Sequence, residues 1–108
     1  MAFRKEIIEI EGKPPIVNLY GELDIYSTQD FKNDTIELLK NSQEDLYLDF
    51  TNLEYIDSTG LGALISILKE AKEIDKDIYL IEVNERIRKL FKITKLEEMF
   101  KFVGEMNE

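Results

Sequence analysis

The sequence predicts an α/β domain on a mostly parallel sheet of four to five strands, edged at the N-terminus by an antiparallel hairpin. Three observations carry that prediction. The chain has 108 residues, 44% of them hydrophobic, which suits one domain with a real core. Strand-length apolar runs alternate with stretches at helical spacing, in the order β-β-α-β-α-β-α and a last short β; that order implies parallel strands joined by right-handed crossovers. The first two strands are separated only by Gly12-Lys13-Pro14-Pro15, a turn signal that makes them a hairpin. Residues 1–108 read as a single domain with no repeat or linker, and 104–108 as a frayed tail.

Each element has its own warrant. Phe3 to Glu11 reads as an edge strand: Ile8 and Ile10 alternate with Glu9 and Glu11, and Ile7 breaks the pattern. Ile16 to Tyr20 is the second strand, ended by Gly21-Glu22-Leu23-Asp24. Ser27 with Asp30 three residues on resembles a capping box. The helix behind it buries Phe31, Thr35, Leu38 and Leu39 and runs to about Lys40. Asp45 to Phe50 is the third strand, apolar enough to be covered on both faces, and Thr51-Asn52 reads as a turn. From Thr59 to Ile74 the pattern is helical, with Leu61, Leu64, Ile65, Leu68 and Ala71 inward. Ile78 to Val83 is the fourth strand. Asn84 caps a third helix with Glu85 in its first turn. Ile87, Leu90, Phe91 and Thr94 form the inner side of that helix, Leu96, Met99 and Phe100 continue the packing, and 101–103 adds a last strand.

Composition excludes several chemistries. No cysteine is present, so there is no disulfide framework, thiolate nucleophile or Cys-based metal site. No histidine is present, which removes His bases and ordinary zinc sites. The net charge of −9 disfavours nucleic acid and anionic membrane surfaces as partners. The start of the chain has no signal-like apolar region and no run is long enough to span a membrane, so a cytoplasmic location is expected.

The informative stretch is Leu53 to Leu64, where a strand gives way to a helix through Asp57, Ser58, Thr59, Gly60 and Gly62. Junctions of this kind, at the carboxyl ends of strands, are where α/β sheets receive ligands and partners. Either Asp57 or Ser58 can cap the helix. Two glycines in one first turn cost about 1 kcal/mol each relative to Ala. They imply either close approach of another surface or tight packing of the turn on the sheet. A phosphate on Ser58 or Thr59 would add about −1.5 to −2 charges at a helix start, where anions are tolerated. Such a phosphate would gate a partner rather than melt the fold. Asp24, Asp49 and Asp57 leave one enzymatic alternative, a weak Mg²⁺ site for phosphotransfer or nucleotide hydrolysis.

The run Tyr55-Ile56-Asp57-Ser58-Thr59-Gly60-Leu61-Gly62 resembles the signature of the STAS domain, and more narrowly of bacterial anti-sigma factor antagonists. Gly21-Glu22-Leu23-Asp24, Leu48-Asp49-Phe50 and Ile87-Arg88-Lys89-Leu90-Phe91 with Leu96 fit the same pattern, so the likeness covers essentially the whole chain. The resemblance implies partner switching. The unphosphorylated antagonist binds an anti-sigma factor and frees a sigma factor. That anti-sigma factor is also a serine kinase of the GHKL type, and a PP2C-type phosphatase reverses its action. Carried onto this sequence, the phosphate falls on Ser58, with Thr59 as second choice. Gly21, Glu22, Asp24, Asp57, Ser58, Thr59, Gly60, Leu61 and Gly62 form the partner surface. The domain would be a kinase substrate and not an enzyme, with no cofactor or metal, and a monomer when free. The competing family reading is a stand-alone STAS subunit of a signalling or transport complex, not phosphorylated.

Overall fold

The computed structural model describes residues 2–104. The elements are β1 (Arg4–Ile8), β2 (Ile16–Leu23), α1 (Thr28–Lys40), β3 (Leu46–Ile56), α2 (Ser58–Glu73), β4 (Ile78–Ile81), α3 (Glu85–Ile93), a 3₁₀ turn (Glu97–Met99) and β5 (Lys101–Val103). Their order is the one the sequence predicts. The strands lie in the sheet in chain order, with β1 antiparallel to β2 and every other pair parallel. Of the expected frayed tail, 105–108 lies outside the described residues.

The chain-order sheet has a consequence for the helices. Each crossover steps one strand further in the same direction. Right-handed connections that all step the same way put their helices on one face. Leu46, Leu48 and Phe50 of β3 are therefore buried, while Tyr47 and Asp49 between them are only half-buried. The same alternation runs along β2 and β4. The expectation that β3 is covered on both faces fails here. Its continuous apolar look comes from Tyr47, which stacks on Tyr79 of β4 across the open face, 4.6 Å between ring centroids and 8° from parallel. Burial, then the neighbouring Tyr79 and Asp45, push the Tyr47 phenol above its ordinary pKa.

The covered face holds the core. From α1 it takes Phe31, Thr35, Leu38 and Leu39, the four residues the spacing names. From α2 it takes Leu61, Ala63, Leu64, Ile67, Leu68 and Ala71. Ile67 replaces the expected Ile65, which is half-buried. Phe91 of α3 is the hub of a ring cluster, edge-to-face with Phe50, Phe100 and Phe102 at 5.6–6.4 Å. Thr94 and Met99, expected inward, are exposed, since α3 ends at Ile93 and the chain turns away. Asn84 caps α3 as expected, its side chain accepting from Ile87 N at 2.8 Å.

Two further expectations are corrected. β1 ends at Ile8, so Ile10 lies beyond the ladder and Ile7, Ile8 and Ile10 are all exposed. β3 does not stop at Phe50; it runs through Thr51-Asn52 to Ile56. Its pairing with β2 slips twice, Asn18↔Asp49 giving way to Tyr20↔Asn52, and Gly21↔Leu53 to Glu22↔Tyr55. Each slip is an extra residue on β3, a bulge that breaks the period-2 pattern without breaking the strand.

Candidate functional site

The long β3 and β2 end together. Leu23 pairs with Ile56, and Asp57 N donates to Leu23 O at 3.3 Å. The segments 24–27 and 57–60 therefore leave the sheet side by side, at the carboxyl ends of neighbouring parallel strands.

The α2 start is held by Asp57. Its Oδ1 accepts from Thr59 N and Gly60 N, both at 3.0 Å, and from the Thr59 hydroxyl at 2.6 Å. Of the two cap candidates, Asp57 does the capping and Ser58 is the first helical residue. The Thr59 hydroxyl, then the two backbone N–H groups, hold the Asp57 carboxyl below the usual carboxylate range. It is ionised whenever the protein is near neutrality. Thr59, though exposed, has its hydroxyl committed to Asp57. Ser58 is exposed, and among the described residues its hydroxyl has no partner.

The two glycines separate the two explanations. A Cβ on Gly60 would lie 2.7 Å from Ile56 Cγ1 and 2.8 Å from Leu23 O, so this glycine lets the turn sit on the strand ends. A Cβ on Gly62 would meet nothing within 4 Å, so no contact within the fold asks for glycine there. Gly21 is also a packing glycine, at φ +85° with the Ala2 backbone against it. Of the expected partner surface, Gly21, Gly60 and Leu61 are buried. Glu22, Asp24 and Asp57 are half-buried, and Ser58, Thr59 and Gly62 are open to solvent.

The neighbouring segment is knit differently. Asp24 Oδ1 accepts from Tyr26 N at 3.0 Å, and the Ser27 hydroxyl accepts from Asp24 N at 3.0 Å while donating toward Glu22 O and Asp24. The expected Ser27 capping box does not form: Ser27 has helical backbone angles, and its oxygen serves the loop behind it instead of α1. This network pushes Ile25 and Tyr26 outward, 65% and 93% exposed. Tyr55, near the end of β3, is 48% exposed. These three exposed side chains stand at or near the same strand ends, and the expected partner surface did not include them. The available signal was an apolar pair, Ile25-Tyr26, standing where a polar loop is expected.

The carboxylates do not converge. Asp24 serves Tyr26 and Ser27, Asp57 serves α2, and Asp49 accepts from Thr51 N at 2.9 Å and from its hydroxyl. Among the described residues no group of three acids is placed to hold a metal ion. No helix among them is long and apolar enough to cross a membrane.

The STAS domain family model matches residues 6–108. The chain belongs to the STAS family. An anti-sigma-B factor antagonist of Staphylococcus aureus is 35% identical over 83 residues, 77% of each chain. An anti-sigma factor antagonist from Mycobacterium paratuberculosis has the same fold, with a TM-score of 0.83 over 98% of this chain and 89% of that one, at 16% identity. So does the Bacillus cell-fate determinant SpoIIAA in its phosphorylated form, with a TM-score of 0.74 over 96% and 95%, at 17% identity. Within this STAS domain, the Asp57–Gly62 turn and the Asp24–Ser27 loop leave the ends of neighbouring strands.

Proposed function

We propose that this STAS domain is an anti-sigma factor antagonist gated by phosphorylation of Ser58. The observation that carries the reading is the Ser58 hydroxyl: exposed, without a partner among the described residues, and held at the first position of a helix whose start is locked onto the sheet. The named relatives supply the partner class, an anti-sigma factor; on this reading it is also the serine kinase, of the GHKL type, and a PP2C-type phosphatase resets the switch. Thr59 is the weaker acceptor, because modifying it would first break its bond to Asp57.

The gate follows from charge and from donor supply. The Asp57 carboxylate already takes the N–H groups of Thr59 and Gly60. A phosphate on Ser58 therefore finds those donors occupied and an ionised carboxylate beside it. It adds about −1.5 to −2 charges. Two unit charges 4 Å apart near a protein surface repel by roughly 1–4 kcal/mol. The new group turns outward, into the space a partner must fill. In the unmodified form the same surface offers Tyr26 and Ile25 as apolar anchors beside small residues, the pattern of an interface centre.

The test is intact-mass analysis of the chain after incubation with ATP and a candidate anti-sigma kinase from the same genome, with Ser58→Ala in parallel, followed by binding of both forms. One added phosphate, lost in Ser58→Ala and accompanied by loss of binding, is expected. A phosphate that persists in the mutant moves the acceptor to Thr59 or elsewhere. Binding without any phosphorylation would leave an unphosphorylated STAS interaction subunit.

A further inference from the structure

Five of the chain's fourteen Lys and Arg lie in ten residues, 86–95, in a protein of net charge −9. Arg88 is consumed internally: it pairs with Glu97 at 2.9 Å and covers the Phe102 ring at 3.8 Å. Arg86, Lys89, Lys92 and Lys95 are exposed, and among the described residues none of them has an ion-pair partner. The nearby acids are Glu85 at the helix start and Glu97 and Glu98 beyond its end.

Helix stability does not account for this placement. Arg86 sits in the first turn, where the helix dipole disfavours a cation. Arg86, Lys89 and Lys92 follow each other at i, i+3, and like charges at that spacing weaken a helix. Only Lys92, in the last turn, helps. Beside Lys89 and Lys92 stands Ile93, 70% exposed among the described residues. The inner side of α3, Ile87 and Phe91, is already spent in the core.

We infer that the outer face of α3 is a docking surface for an acidic segment of a partner protein, a surface separate from the Ser58 turn. Such a segment neutralises Arg86, Lys89 and Lys92 and places one apolar side chain against Ile93. The cations span about 9 Å along the helix at 1.5 Å per residue, the length of roughly three extended residues at about 3.3 Å each. A lipid surface fits less well, because a helix that lies in a bilayer needs a free apolar face and that of α3 is buried. Duplex DNA fits less well too, since an apolar Ile93 has no counterpart on a phosphate backbone and the rest of the protein is strongly acidic.

The test uses the full chain and a fluorescein-labelled peptide of repeated Glu-Glu-Leu, about 12 residues long so that it can span α3 when extended. Saturable binding is expected, weakening by roughly tenfold or more when salt rises from low to about 0.3 M, where the Debye length falls well below 10 Å. Amide chemical-shift changes should map to α3. R86E/K89E/K92E should lose at least about tenfold in affinity, as expected when complementary charges become like ones. R86Q/K89Q/K92Q should lose less, Ile93→Ser should weaken binding at all salt concentrations, and Ser58→Asp should leave it unchanged. No saturable binding, shifts mapping elsewhere, or equal affinity of the folded charge-reversed variant would overturn the inference. So would tighter binding of phosphatidylserine vesicles or duplex DNA through the same residues. Loss of peptide binding in Ser58→Asp would merge this surface with the switch.

Discussion

Two helices start side by side at the ends of β2 and β3, and they start differently. α2 begins under a carboxylate that satisfies two of its free N–H groups, over a glycine that lets the turn rest on the strands. α1 begins without a side-chain cap; its Ser27 oxygen turns back to hold the loop that thrusts Ile25 and Tyr26 into solvent. One start spends its polar atoms on rigidity, the other on presentation. On the proposed reading the two starts divide the work: α2 holds Ser58 in place on a fixed backbone, and the α1 loop projects Ile25 and Tyr26 as apolar anchors.

The sharpest way to break this contrast is Gly60→Ala. Its Cβ meets the Leu23 carbonyl as well as a side chain, so the variant should lose about 1–3 kcal/mol of stability, the range for overpacking a tight site. Thermal or urea unfolding would show it, and unchanged stability would mean that the turn does not rest on the strands. Tyr26→Ala should do the opposite. It should leave stability within about 0.5 kcal/mol, as for surface sites, yet cost about 2 kcal/mol of binding to the anti-sigma factor, as an interface anchor does. Asp57→Ala should cost about 1 kcal/mol through the lost cap. Because the folded Asp57 carboxyl titrates below its unfolded range of about 3.9, that contribution is fully present above this range. It disappears as the pH falls through the lower folded value. The stability gap between wild type and Asp57→Ala should therefore close in acid. The smallest effect is the most discriminating: Gly62→Ala, two residues from Gly60, should gain up to about 1 kcal/mol, the helix propensity difference. If it also weakens partner binding, the open side of the turn is where the partner comes close.

Much of this was legible in the residues. Helical spacing named the buried face of α1 in full, and the caps Asp57 and Asn84 follow from side chains whose partners are two or three residues away. What stayed hidden depends on neighbours distant in sequence. Thr51-Asn52 reads as a turn because two polar residues interrupt an apolar run, yet pairing with β2 keeps the chain extended through two bulges. Tyr47 reads as core because tyrosine is apolar over most of its surface, but only the direction of the crossovers decides which face is covered. Gly60 and Gly62 look equivalent in the sequence, and the Leu23 carbonyl makes them different.

The contact between Gly60 and the Leu23 carbonyl also sets an order of assembly. The motif that carries Ser58 is contiguous, but the platform it rests on belongs to a strand completed before α1 begins. The Leu23 part of that platform is in place only when β2 and β3 have met across the whole intervening helix, a non-local pairing with the closure entropy of a long loop. A fragment beginning after α1 would hold every letter of the motif and Ile56 beneath it, but not the Leu23 carbonyl on which Gly60 also rests. A peptide copied from it would be the same sequence without the conformation.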